Sequence, residues 1–243
     1  MGEAYNKTRL WILLGFAAIE AVLFVLIQVT DGYAFRAFCY AAVVLAFMFS
    51  LTFISGEWDR IILTVGLAFT LAADFYLVLL DDHYAVAVSF FSLAQIAYAA
   101  RLCLRAKSGK RRRIQLLTRA VVSLSAILVP CSLLGKRADY LSVIVVFYFA
   151  NLVLNTVIAF FDINGDRAFG IGLLLFCLCD AVIGLSKLGM YFPVGDVEIL
   201  EWLSHYGYKI AWMFYVPSQT LIAISAHSRL SRISRRGADV EAA

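Results

Sequence analysis

Two aspartates, Asp74 and Asp180, lie deep inside stretches that are otherwise almost purely apolar, each eight residues after a glycine, Gly66 and Gly172. An ionised carboxylate at the centre of a membrane helix costs roughly 2.5–3.5 kcal/mol on insertion scales, so its presence calls for a structural or chemical reason. Two carboxyls brought together in a low dielectric do not both ionise; such a pair holds one proton between its members and is poised for general acid–base work. Matching local contexts make a paired site the leading expectation, with Asp74 and Asp180 as its catalytic acids.

Polar residues at helical spacing accompany the acids. One run presents Tyr148, Asn151 and Asn155 at i, i+3 and i+7. Another presents Trp212, Tyr215 and Gln219 at the same spacing, and a third presents Phe91, Gln95 and Tyr98. Each set shares a helix face because 3.6 residues make a turn. Taken singly, an Asn or Gln in such a run reads as an interhelical hydrogen bond. Taken together beside two acids, they read as a polar pocket in which Gln95, Tyr98, Tyr148, Asn151, Asn155, Tyr215 and Gln219 hold substrate or water. A third intramembrane acid, Glu20, is either a member of that pocket or a neutral carboxyl bonded to a hydroxyl, and both readings stay open.

The elements that must position these residues follow from composition. The chain is 63% hydrophobic and 16% charged over 243 residues, too apolar for the surface of a soluble domain of that length. Eight continuous apolar runs are long enough to span a membrane as helices: 10–29, 34–54, 61–80, 84–104, 114–134, 140–161, 168–186 and 208–227. They do not alternate with period two, which excludes a β-barrel, and helices satisfy their own backbone in lipid. The expected fold is therefore an all-α membrane protein, a single transmembrane domain over 1–243 with a basic cytoplasmic tail at 228–243. The first run is too long for a signal-peptide core and is expected to remain in the mature chain. Lys and Arg concentrate on one side, above all in 101–119 and in the tail, which places both termini in the cytoplasm. The run Lys110–Arg113 sits between two membrane helices, so lipid headgroups, and not nucleic acid, are its expected partners.

The even number of runs suggests two halves of four helices, joined by the basic loop at 105–113 and related as a parallel repeat. Helices three and seven then run in the same direction, and their acids sit at nearly equal depth, about 20 Å from the inner end at 1.5 Å per residue. In the outer loop 187–207, a segment beginning at Asp196 is expected to form a short interfacial helix over the mouth of the pocket. The five cysteines read as packing residues, because Cys177 and Cys179 have neither redox nor zinc spacing. The three histidines are scattered, at 83, 205 and 227, without repeated ligand spacing, and no metal site is expected.

The segment from Gly66 through Asp74 to Leu77, followed by Phe90 to Tyr98, resembles the first signature of the YhhN (lysoplasmalogenase) family. Gly172–Asp180 and Tyr215–Gln219 resemble its second and third signatures, and the likeness covers roughly residues 60–226. The chain departs from the usual pattern at Ala73 and Cys179, where Gly or Ser is common, and at Gln95, where a histidine is common. Gln95 cannot shuttle a proton, which leaves it a hydrogen-bonding role. The resemblance implies an eight-helix protein of a bacterial cytoplasmic membrane. It also implies hydrolysis of the vinyl-ether bond of lysoplasmalogens, giving a fatty aldehyde and a glycerophospho-alcohol. Such chemistry needs one protonated acid and one carboxylate, a division of roles that glycoside hydrolysis also uses, and requires no metal or organic cofactor. The expected partners are thus a lysophospholipid substrate and membrane lipids. The rival reading is a proton-coupled transporter or lipid-binding membrane protein that uses the same acids without hydrolysis.

Overall fold

The computed structural model describes residues 2–52, 57–106, 108–161, 166–187 and 198–226. Among these the chain is helical throughout, with α1 at Gly2–Val29, α2 at Gly32–Thr52, α3 at Trp58–Asp74 and α4 at Tyr84–Arg105. Then follow α5 at Gly109–Leu134, α6 at Tyr140–Phe161, α7 at Arg167–Ser186 and α8 at Glu198–Ile224. Seven of the eight, α1 to α7, are long and apolar enough to cross a membrane. The short helix expected over the outer mouth is instead the opening of α8, which runs unbroken from Glu198; Asp196 lies outside the described residues, as do His227 and the tail.

The successive helices α3 and α4 pack antiparallel, as Asp59 meets Arg101 and Gly66 meets Tyr98, whereas α4 and α6 run parallel, as Phe91 meets Tyr148 and Gln95 meets Asn155. The closest pairs are α7 with α8 and α3 with α4; α4 also packs on α6, α6 on α7, and α2 on both α3 and α8. The outer helices α1 and α5 are the least buried of those of membrane length, and α5 leans chiefly on α6 while barely touching α4. Small residues set the closest approaches, as is usual where helices must pack in lipid. A side chain at Gly66 would stand 2.3 Å from the Tyr98 ring of α4, so that ring lies flat on the backbone of α3. At Gly172 an added Cβ would meet Ile222 Cγ1 at 2.8 Å and the Ser218 carbonyl oxygen at 3.1 Å. There the backbones of α7 and α8 touch, and the Ser218 hydroxyl donates to the Gly172 carbonyl at 2.8 Å. Both glycines that precede the aspartates are thus contact points that seat α4 and α8.

An ionic clasp closes the bundle at the end where α3 begins and α4 finishes. Arg105 engages Asp59 with both arms of its fork, at 2.6 and 2.8 Å, a planar geometry that favours a carboxylate partner. Arg101, fully buried, reaches Asp59 at 3.3 Å, Asp166 at 3.6 Å and the Ser225 hydroxyl at 2.9 Å. Its guanidinium also lies 4.4 Å over the centre of the Phe169 ring, a favourable cation–π distance. One cluster therefore binds the ends of α3, α4, α7 and α8. The sequence counted Arg101 and Arg105 among the basic residues that set the cytoplasmic side, and their partners turn them inward. At the opposite end, Arg36 pairs with Asp81 and Lys209 with Asp31, both at 2.6 Å and both largely exposed.

The packing makes a clear prediction. Gly172→Leu forces α7 and α8 apart and is expected to destabilise by about 1–3 kcal/mol, the usual range for overpacking. Gly15→Leu, where nothing lies within 4 Å, should leave stability unchanged. Thermal unfolding in detergent compares the two, and equal melting temperatures would contradict the contact.

Candidate active site

Asp74 stands at the last position of α3, where the helix widens into a π-helical stretch over Phe75–Leu80. Such widened turns are rare and recur at functional sites. The stretch ends at Asp81 and His83, both left-handed, which return the chain into α4. An aspartate tolerates that conformation better than most residues. Asp74 is only 1% exposed and accepts a hydrogen bond of 2.6 Å from the Tyr215 hydroxyl of α8. Asp180, on α7, is half-buried and accepts a hydrogen bond from the Tyr148 hydroxyl of α6. Each acid therefore has its own phenol, supplied by a neighbouring helix.

Aromatic rings join the two halves of this arrangement. Phe176 of α7 sits 5.2 Å from the Tyr215 ring and 6.4 Å from the Tyr148 ring, edge-on to both. Phe91 closes on Tyr148 at 5.6 Å and on Phe176 at 5.7 Å, while Trp212 backs Tyr215 at 5.0 Å. Edge-to-face contacts of this kind hold rings in fixed orientation. The rings of Tyr215 and Tyr148, which hold Asp74 and Asp180, thus share Phe176 as a common neighbour. Two acids, each held by an O–H donor in an apolar wall, are an arrangement suited to moving a proton.

The other residues expected in the pocket divide among different places. Asn155 donates to both the backbone and side-chain oxygens of Gln95, at 2.9 and 3.0 Å, joining α6 to α4 beside the acids' aromatic wall and not at the carboxyls themselves. Asn151 turns toward α5, where Ser123 is its partner, and bonds the Phe147 carbonyl at 2.8 Å. Tyr98 lies on Gly66 and 5.5 Å from the Phe169 ring, so it serves the packing of α3, α4 and α7. Gln219 is buried with neither side-chain heteroatom hydrogen-bonded. Glu20 is likewise buried and approaches Thr220 of α8.

Sequence reasoning overlooked Arg119. It is 8% exposed and donates to Asn155 Oδ1 at 2.6 Å. Its position six residues into the fifth apolar run, counting from residue 114, was the available signal that it lies within the span and not in the basic loop. An apolar groove of about 630 Å³ opens on the other flank of the bundle, lined by Ile19 and Leu23 of α1, Tyr40, Val44 and Met48 of α2, and Leu79 of the π-helical stretch. Tyr40 links this groove to the stretch that follows Asp74, since its ring lies 6.3 Å from that of Phe75.

Comparison with known proteins gives a consistent result. No curated protein and no solved structure matches the chain. The pattern that defines the YhhN family, however, matches residues 33–226, most of the chain and every helix that contributes to the paired acids. The chain belongs to the YhhN family.

Proposed function

We propose that the protein is an intramembrane hydrolase that cleaves the vinyl-ether bond of lysoplasmalogen-type lipids, with Asp74 and Asp180 as its acid–base pair. The observation that carries this reading is that each carboxyl, one from α3 and one from α7, accepts from a tyrosine hydroxyl, and that the rings of both tyrosines pack on Phe176. In the reaction, the member of the pair that holds the proton gives it to the outer carbon of the double bond, leaving an oxocarbenium ion. The other carboxylate stabilises that cation and takes a proton from water as the water oxygen bonds to the ether carbon. The resulting hemiacetal loses its hydroxyl proton as the carbon–oxygen bond to glycerol breaks, and the departing oxygen is protonated. Aldehyde and alcohol result, with one water consumed. Tyr148 and Tyr215 hold the carboxyls in place, and the aromatic wall excludes bulk water from the cation.

Several features support the setting. The groove beside Tyr40 has the volume of a small-molecule pocket and almost entirely apolar walls, suited to a single aliphatic chain. The packing pattern maps onto itself when each helix is replaced by the one four places on: α1–α2 onto α5–α6, α2–α3 onto α6–α7, α3–α4 onto α7–α8, and α4–α6 onto α8–α2. That correspondence favours a parallel repeat of four helices. The 27-residue α8 then completes an eight-span topology, with the basic end in the cytoplasm.

The test is aldehyde release from lysoplasmalogen by purified protein in detergent. Asp74→Asn and Asp180→Asn should each reduce turnover by about 10²-fold or more while leaving the melting temperature near that of the parent, as expected of general acid–base groups. Loss of stability without a specific loss of turnover would mean that the acids only join helices. Absence of release by the parent protein, together with proton-coupled uptake in vesicles, would favour transport. A second prediction concerns the groove. Val44→Trp should raise KM several-fold for long-chain substrates and much less for short ones, and an equal effect on both would remove the groove from substrate binding.

A further inference from the structure

Arg119 is a buried cation without a buried anion. Among the described residues no carboxylate lies within ion-pair distance of it; its one close partner is the neutral Asn155 side chain, with the Cys103 thiol beside it. Its Nε and Nη2 atoms have no acceptor. Burying a guanidinium with so little compensation is costly, and removing a cation's partner from a protein interior is among the more damaging changes known. A sequence that retains such a group in a membrane helix has a use for it.

The neighbours determine what that use is. Because Arg119 donates to Asn155 Oδ1, the Asn155 amide must turn its Nδ2 toward Gln95, and Nδ2 indeed donates to Gln95 Oε1. This fixes the Gln95 amide in turn, so its Nε2 is left over as a donor, fully buried and without an acceptor. The chain of bonds therefore ends at both extremities in unused N–H groups: two nitrogens of Arg119 and one of Gln95. A cluster made of a fixed positive charge and spare donors, with no acid nearby, is matched to a multi-oxygen anion, and a forked guanidinium matches phosphate in particular.

Position narrows the choice further. Asn155 follows Tyr148 by seven residues on α6, so the cluster lies about 10 Å along the bundle from the Asp180 carboxyl, toward the ionic clasp. A glycerol backbone spans roughly 6 Å between its ether oxygen and its phosphorus, and one hydrogen-bond length of about 3 Å at an end makes up the remainder. The cluster also sits where α5 stands loosely against α4, with Cys103 and Arg119 facing across that seam. The apolar groove lies on the far flank, beyond Asp74.

We infer that Arg119, Asn155 and Gln95 form a buried phosphate-binding site that takes the phosphodiester of a single-chain lipid, reached through the seam between α4 and α5. The anion site stands on its own geometry, while the lipid as its source rests on the hydrolase reading. The occupied site directs the headgroup toward the basic end and leaves the chain in the groove beside Tyr40, with the intervening ether at the acids.

Binding to the detergent-purified protein tests this without requiring turnover. The probes are a saturated 1-O-alkyl lysophospholipid, which carries no vinyl ether, the matching 1-O-alkylglycerol without phosphate, and inorganic phosphate. Arg119→Gln should weaken the phosphorylated lipid by about tenfold to a hundredfold, the usual effect of losing hydrogen bonds to a charged group. It should leave the alkylglycerol unchanged, which also shows that the variant is folded. Arg119→Lys, which keeps the charge and loses the fork, should fall between the two. None of these probes carries a bond that the acids could cleave, so a failure of the hydrolase reading leaves this test intact. Inorganic phosphate should compete with the lipid in the parent and not in Arg119→Gln. Equal affinity of parent and Arg119→Gln for the phosphorylated lipid, or equal loss for both alkyl ligands, overturns the site. Arg119-dependent binding of inorganic phosphate with lipid binding indifferent to Arg119 assigns the site to a free anion and overturns the headgroup.

Discussion

The constraint on which this structure depends is the absence of water from the hydrocarbon layer. A buried polar group there must be answered by another part of the protein, since no solvent is available to answer it. Most of the bundle meets that demand in plain sight. Asp59 is met by Arg101 and Arg105, Asp74 by Tyr215, Asp180 by Tyr148, and the Gly172 carbonyl by Ser218. Each of these pairs joins different helices, so satisfying a side chain and fixing the bundle are one event. Other buried groups are left unanswered, among them two nitrogens of Arg119, the Gln95 amide nitrogen, the Gln219 amide and the Glu20 carboxyl.

The same constraint explains how much could be read from the residues alone. An acid in an apolar run is visible in any listing of the chain, and Asp74 and Asp180 were found that way. Their phenolic partners were legible too, because Tyr148 and Tyr215 belong to polar stripes at helical spacing. A stripe identifies a face of a helix; it does not identify the neighbour on that face or the depth of each member. For that reason Tyr98, one turn beyond Gln95, ends against Gly66, and Asn151 turns to Ser123 of α5. The clasp was hidden for a different reason. Arg101 and Arg105 sit beside a run of basic residues whose charge alone explains the topology, and only the packing of α3 against α4 shows that Asp59 faces them. The eight helical runs were plain in outline, but their ends were not. α8 starts ten residues before its apolar part, because the charges at its beginning project outward and do not interrupt the helix.

The glycines illustrate how one motif carries two meanings. Read as sequence, the glycine eight residues before each aspartate looks like part of a catalytic signature. In the bundle its role is mechanical: Gly66 admits the Tyr98 ring, and Gly172 admits the backbone of α8. The acid and the glycine are nonetheless one unit. The glycine brings a second helix close enough to α3 or α7 for a side chain of the bundle to reach the carboxyl two turns away. Tyr215, on the helix that Gly172 seats, reaches Asp74 rather than Asp180. The contact that holds α7 to α8 therefore also sets the environment of the acid on α3, and the two motifs are coupled across the molecule.

The clasp formed by Asp59, Arg101, Arg105 and Asp166 has one more consequence. Among the described residues these ion pairs tie the ends of α3, α4 and α7 together, so on the proposed reading a lipid approaching the acids from that side comes sideways out of the leaflet. On that reading delivery is by two-dimensional diffusion. The quantity that governs occupancy is the mole fraction of the molecule among its neighbouring lipids, and diluting the vesicles at constant lipid composition leaves it unchanged.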